Sequence, residues 1–192
     1  MNSFAFRTGL QGSPWTALAL TVATVLGCTA EEEAESVCTT TANLVDMTVW
    51  SLADSPTDPF PDRPPGAPCG EHGWGLDDGA VLGVYTGECN YVTVNQPLLA
   101  GLSSCNDLVF ELTHDRLSAG EGVIAEAVVG MAIADRQIWT KTYPIPGPPL
   151  YEQLRVPIDR DIPAGTPIQF HIHNHGSNGW RLLSVMREPH QP

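Results

Sequence analysis

Residues 168–185 read IQFHIHNHGSNGWRLLSV. The first part alternates. In an extended strand Ile168, Phe170 and Ile172 point to one face, and His171, His173 and His175 to the other. The apolar set predicts a core beneath the strand. The histidines are then expected on the opposite face, near the turn, where a ligand can reach them. Asn178-Gly179 is a tight-turn pair that reverses the chain into Trp180–Met186.

The rest of the chain repeats this period of two. Asn43–Leu52 alternates weakly and is read as a first strand. Ser55 to Pro68, SPTDPFPDRPPGAP, is too rich in proline for a helix or a central strand and is read as a surface loop pinned by Cys69. Gly70–Gly79 is read as a turn-rich loop holding Trp74, Glu71, His72, Asp77 and Asp78. Ala80–Thr86 and Tyr91–Leu99 are strands. Leu108, Phe110 and Leu112 alternate, with His114 closing their face. Val123 to Ile133 gives the longest pattern, and Ala134-Asp135-Arg136-Gln137 turns it into Ile138–Tyr143. Leu154, Val156 and Ile158 alternate before Asp161-Ile162-Pro163-Ala164-Gly165 leads into the histidine strand. No sustained helical periodicity follows Cys38. About eight strands at this spacing, with 18 glycines and 17 prolines, predict an all-β fold, an antiparallel jelly-roll-like β-sandwich.

The net charge is −13. An acidic surface repels phosphate backbones, so nucleic acid is excluded as an expected partner. No second long apolar run appears after the N-terminal one, so no further membrane span is expected.

Residues 1–27 carry one charged side chain, Arg7, and an apolar run from Trp15 to Leu26, the layout of a secretory signal. The run ends Val25-Leu26-Gly27-Cys28. This resembles the lipobox of bacterial lipoproteins, departing from the usual pattern at Val25 and Leu26. The resemblance implies cleavage before Cys28, acylation of that cysteine, and a membrane as partner through the lipid anchor. Thr29 stands where enteric inner-membrane lipoproteins carry aspartate, which implies the outer membrane and an extracytoplasmic domain. Residues 28–37 include Ala30-Glu31-Glu32-Glu33-Ala34-Glu35-Ser36, read as an acidic tether. Residues 38–192 form the expected β-sandwich domain.

Cys38, Cys69, Cys89 and Cys105 remain, an even number in an exported chain, which suggests two disulfides. Three connectivities are open. If Tyr91–Leu99 and Asp107–His114 form a hairpin, Cys89 and Cys105 lie roughly 25 Å apart, beyond bonding reach. The favoured pairing is Cys69–Cys89 with Cys38–Cys105. Zinc is the rival use, but no CxxC spacing occurs.

From about Gly79 onward the strand order, the DIPAGTPIQFHIHNHGSNGW run and the closing strand resemble a galactose-binding-like jelly roll. That fold is common in carbohydrate-binding modules. The resemblance assigns no sugar-binding residue by position.

Two sites compete. A sugar site needs an apolar platform ringed by planar hydrogen-bonding groups. His173, Asn178, Trp180, Arg181 and Tyr151 are of the right types, with Trp139 and Trp74 as weaker platforms. A core position for Trp180 is the alternative. A metal site would use His171, His173 and His175, since imidazoles two apart on a strand share a face and two can grip one zinc or copper ion. Strand HxH pairs do this in cupins, but the glutamate that follows there is absent here, leaving His114, His72 or a loop carboxylate as further donors. The alternative is that Asn174, His175, Ser177 and Asn178 satisfy the turn's own backbone.

An enzyme is not expected. Ser103-Ser104 and Ser177-Asn178 lack a nucleophile-elbow context. Glu71, Asp77 and Asp78 are loop acids. No phosphate-cradling loop occurs, and Lys141 is the only lysine. The reading is a surface-anchored binding module for a glycan or an envelope protein, with no cofactor. A metal-binding jelly roll, catalytic or not, is the first alternative and a structural envelope protein the second.

Overall fold

A computed structural model describes residues 38–191, apart from 54, 62, 65–68 and 71. The signal segment, Cys28, the tether and Glu71 lie outside the described residues. Eleven strands and one 3₁₀ turn, Ser55–Thr57, make up the named elements. The strands are β1 (Ala42–Asn43), β2 (Ser51–Leu52), β3 (Trp74–Asp77), β4 (Val81–Tyr85), β5 (Tyr91–Pro97) and β6 (Asn106–His114). They continue as β7 (Ala125–Ile133), β8 (Arg136–Ile145), β9 (Leu150–Pro157), β10 (Pro167–Asn174) and β11 (Gly179–Pro189). No helix among the described residues is long and apolar enough to cross a membrane.

The strands form two antiparallel sheets. The first runs β3-β4-β11-β6-β9, with β1 paired to β11; the second runs β2-β5-β10-β7-β8. Only β3–β4 and β7–β8 are neighbours in both sequence and space. Every other connection between consecutive strands crosses from one sheet to the other, so the expected jelly-roll-like sandwich is the fold. Residues alternating inward from both sheets fill its core. Phe110, Leu112, Leu182 and Trp180 come from the first sheet and Val94, Val129, Met131, Ile168, Phe170 and Ile172 from the second.

Four local expectations need correction. The strand expected at 43–52 is two short strands in different sheets. The loop expected at 70–79 contains β3, an edge strand paired to β4. The hairpin conditionally drawn between Tyr91–Leu99 and Asp107–His114 does not form, because β5 pairs β2 and β10 while β6 pairs β11 and β9. Nor does Asn178-Gly179 close a hairpin. Both edges of β10 are taken, by β5 and β7, so the chain must leave that sheet and enters the other as β11.

The structure joins Cys38 to Cys105 and Cys69 to Cys89, with Cα separations of 5.4 and 4.3 Å. This is the favoured pairing, although the hairpin used to argue for it is absent.

The β7–β8 turn is tight. Ala134 and Asp135 both take left-handed backbone, at φ 51° and 61°. That suits a two-residue hairpin turn, but alanine adopts it at a cost of about 1 kcal/mol. Ala134→Asn is therefore expected to stabilise the domain by roughly 0.5–1 kcal/mol. Urea unfolding followed by circular dichroism checks this; an unchanged or lower midpoint counts against it.

Candidate functional site

The outer face of the first sheet carries one line of residues in register across all five of its main strands. Gly75 lies opposite Gly83, Gly83 opposite Arg181, Arg181 opposite Thr113, and Thr113 opposite Tyr151. Four strand spacings make the line roughly 19 Å long. At its β3–β4 end the missing side chains leave a hollow of about 560 Å³. Its lining includes His72, Trp74, Leu76, Asp77, Tyr85 and Arg181, with Gly75, Gly83 and Gly179 beneath.

The polar groups of this hollow are held in place. Arg181 Nε donates to Asp77 Oδ2 at 2.7 Å and Nη1 to Asp115 Oδ2 at 3.3 Å. The Asp77 hydrogen bond is the main cause of a guanidinium pKa above its ordinary value, against a smaller opposing cost of burial. The glycines make room for these carboxylates. A Cβ on Gly83 would lie 2.9 Å from Asp77 Cβ, and one on Gly179 would lie 2.9 Å from Asp115 Oδ2. Tyr85, opposite Gly179, is 52% exposed. The edge of its ring lies over Gly87, where a Cβ would approach Cε1 to 3.2 Å. At the far end of the line Tyr151 is 57% exposed, and its hydroxyl donates to Glu111 Oε1 at 2.7 Å. That bond, more than burial, raises its phenol pKa.

The residues singled out from sequence divide sharply. Arg181 and Tyr151 share this line. Trp180 does not; it is 1% exposed, because one residue along β11 reverses the face. Its ring packs in the core 4.5 Å from His114 and 5.2 Å from Tyr143, and Nε1 donates to Asn174 Oδ1 at 3.0 Å. The surface platform expected of Trp180 is therefore corrected to a core position. Asn178 is also buried. Its Oδ1 accepts from Ser118 N at 2.7 Å and its backbone N donates to Thr86 Oγ1 at 3.0 Å, so it ties loops together. His173 lies on the other sheet. Trp74 is half-buried at the edge of the hollow, and Trp139 packs edge-on to Phe110 at 5.0 Å. Asp77, read from sequence as a loop acid, lies on β3 and is bonded to Arg181.

The histidine strand holds its expected parity, since Ile168, Phe170 and Ile172 are all buried in the core. The opposite face is not open as expected. His171 is fully buried beneath the proline-rich segment, stacked on Phe60 at 4.1 Å and 12°. Its Nδ1 lies 2.9 Å from Thr93 Oγ1. Asp58 fastens this cover: its Oδ2 accepts from Tyr91 OH at 2.9 Å and Arg63 Nε at 3.0 Å, and its Oδ1 from Thr93 Oγ1 at 3.0 Å. Gly130 is where the cover touches the sheet, for a Cβ there would fall 2.3 Å from Phe60 Cε1. The three histidines thus do not converge on one point. No group of three or more histidine, cysteine or acidic side chains among the described residues is placed to hold a metal ion.

Tyr85 was missed from the sequence. Its signal was present: Leu82 and Val84 face inward, so Gly83 and Tyr85 face outward, an aromatic side chain beside a bare backbone.

No family model and no curated protein matches the chain. Solved structures resemble it loosely. CBM51 from Clostridium perfringens GH95 in complex with methyl-galactose aligns at 12% identity and TM-score 0.39, covering 77% of this chain and 99% of that one. The family 11 carbohydrate-binding module from Clostridium thermocellum in complex with a β-1,3-1,4-mixed-linked tetrasaccharide aligns at 13% identity and TM-score 0.33, covering 62% and 91%. The Agl-KA catalytic domain aligns at 11% identity and TM-score 0.36; the chain spans 22% of its length. These likenesses are too distant to assign a ligand.

Proposed function

We propose that this chain is an exported, non-enzymatic binding module that holds a neutral glycan in the glycine-floored groove of its first sheet. The observation that carries the reading is that exposed Tyr85 and an Arg181 guanidinium already fixed by two carboxylates line one hollow. A sugar presents an apolar C–H face and a rim of hydroxyls. An exposed aromatic face takes the first, and preoriented planar polar groups take the second. Preorientation matters because a side chain that is already held loses less freedom on binding. Asp77 and Asp115 together outweigh the single positive charge of Arg181, which favours uncharged sugars over acidic ones. Lipid anchoring at Cys28, on the outer membrane, with residues 28–37 as a tether, completes the proposal. It is supported by the lipobox resemblance and by two disulfides, which suit an oxidising compartment.

Affinity electrophoresis against soluble neutral polysaccharides tests the groove. The wild-type domain is expected to be retarded by at least one of them. Tyr85→Ala is expected to weaken that binding about tenfold, about 1.4 kcal/mol, with an unchanged unfolding midpoint. Tyr85→Phe keeps the ring and is expected to keep most of the affinity. Binding indifferent to Tyr85→Ala, or absent from a broad neutral panel, would sink the proposal.

A further inference from the structure

A second hollow adjoins the groove at the same end of the sandwich. It lies between the β4–β5 connection, residues 86–90, and the β10–β11 connection, residues 175–178. Its volume is about 360 Å³, and its lining includes Thr86, Gly87, Glu88, Asn90, His175 and Ser177. Gly87 is the divide between the two hollows. A Cβ there would lie 3.2 Å from Tyr85 Cε1 and 3.0 Å from Ser177 Oγ. Glycine leaves that space open, so the Tyr85 ring and the Ser177 hydroxyl flank a bare backbone. The frame of this second hollow is tied together. Thr86 N donates to Asn178 O at 2.9 Å and Asn174 N to Asn90 O at 2.8 Å. Thr86 Oγ1 donates to Gly176 O and accepts from Asn178 N at 3.0 Å. Cys89, beside Asn90, is held by its disulfide to Cys69. The polar side chains of the lining are spare by contrast. Ser177 and His175 are exposed and Asn90 is half-buried. The Ser177 hydroxyl, the Asn90 amide and the His175 ring nitrogens have no hydrogen-bond partner among the described residues.

We infer that this hollow is a second sugar subsite, taking the residue next to the one that lies on Tyr85. The ligand is then an oligosaccharide or polysaccharide gripped through at least two consecutive residues, not a single terminal sugar. The inference rests on the groove reading of the first sheet and names its substrate class. A glycan on the Tyr85 ring can continue across Gly87 because no side chain blocks the crossing. Beyond the crossing its next residue presents hydroxyls, each both donor and acceptor. Hydroxyl, amide and imidazole groups supply both roles in return. They stand on a backbone frame that is already fixed, so less freedom is lost when a sugar binds. The size of the hollow falls within the range of small-ligand sites. Glu88 adds a third carboxylate to the path beside Asp77 and Asp115, which keeps the preference for uncharged sugars.

The test uses the neutral polysaccharide that retards the domain most, cut into its monosaccharide and disaccharide. Each competes against the intact polymer in affinity electrophoresis. The disaccharide is expected to compete about tenfold better than the monosaccharide, the worth of one or two added hydrogen bonds. Ser177→Ala/His175→Ala changes two exposed side chains and is expected to keep the unfolding midpoint and to erase most of that advantage. Asn90→Ala, on the other connection, is expected to reduce it independently. A disaccharide no better than the monosaccharide overturns the inference, as does an advantage that survives both variants. In either case loss of polymer binding in Tyr85→Ala leaves the groove reading standing. Retardation by no neutral polysaccharide overturns both.

Discussion

Replacing Trp180 by alanine is expected to destabilise the domain by about 3–5 kcal/mol, the range for deleting a fully buried aromatic side chain. The ring sits where the two sheets meet at one end of the sandwich, between His114 of the first sheet and Tyr143 of the second. Deleting it opens a cavity that two rigid sheets cannot close. It also removes the indole N–H that satisfies Asn174 Oδ1, leaving there the longer bond from Asn178 at 3.3 Å. Asn174 and Asn178 are both buried, so leaving that oxygen with only its weaker bond adds to the cost. Urea unfolding followed by far-ultraviolet circular dichroism measures the loss. A change below 1 kcal/mol would show that this end of the core is not packed as described. The result also governs how binding data are read. Loss of ligand in Trp180→Ala reports unfolding, whereas loss in Tyr85→Ala reports the surface. Trp180 and Tyr85 both border the groove, and only the exposed one is a probe of it.

The contrast shows what period two reveals and what it hides. Alternation tells which side chains share a face. It correctly sends Ile168, Phe170 and Ile172 inward, and the same logic separates Arg181 from Trp180. Alternation does not tell which sheet a strand joins or what covers its second face. β10 is a central strand with a partner on each edge, so its histidine face lies over the middle of a sheet, where the proline-rich segment settles. A clue to that cover was present in Gly130, a bare position within a strand of otherwise larger residues, which often marks a close approach. Its partner Phe60 lies 70 residues earlier in the chain, and no local pattern connects them. The groove of the first sheet was hidden for the same reason. Its floor uses Gly75, Gly83 and Gly179, three glycines from three strands, and becomes visible only when the register is known.

Breaking Cys38–Cys105 is expected to cost about 4 kcal/mol, and breaking Cys69–Cys89 about 3 kcal/mol, from the loop each closes in the unfolded chain. The sequence separations are 67 and 20 residues. The longer loop removes more freedom from the unfolded state, which fixes the expected order. The first bond has a second role in the folded state. It clamps the start of the domain beside the loop before β6. Just beyond it Arg187, itself buried, donates through Nε to Thr40 O at 3.2 Å, through Nη2 to Thr40 Oγ1 at 2.8 Å and through Nη1 to Gly101 O at 2.7 Å. These bonds require the Thr40 segment to stay docked, because β1 is only two residues long and holds little by itself. The Cys38→Ser/Cys105→Ser double variant is therefore expected to lose stability and also to expose residues 38–43 to limited proteolysis. Cys69→Ser/Cys89→Ser should lose less stability and leave that segment protected. Urea midpoints and mass spectrometry of the cleavage products measure both. The reverse order of stability, or equal protection of residues 38–43 in both variants, would show that Arg187 alone secures the entry of the chain. On the lipid-anchor proposal any pull from the membrane reaches the fold through Cys38, so this covalent bond stands where force enters the domain.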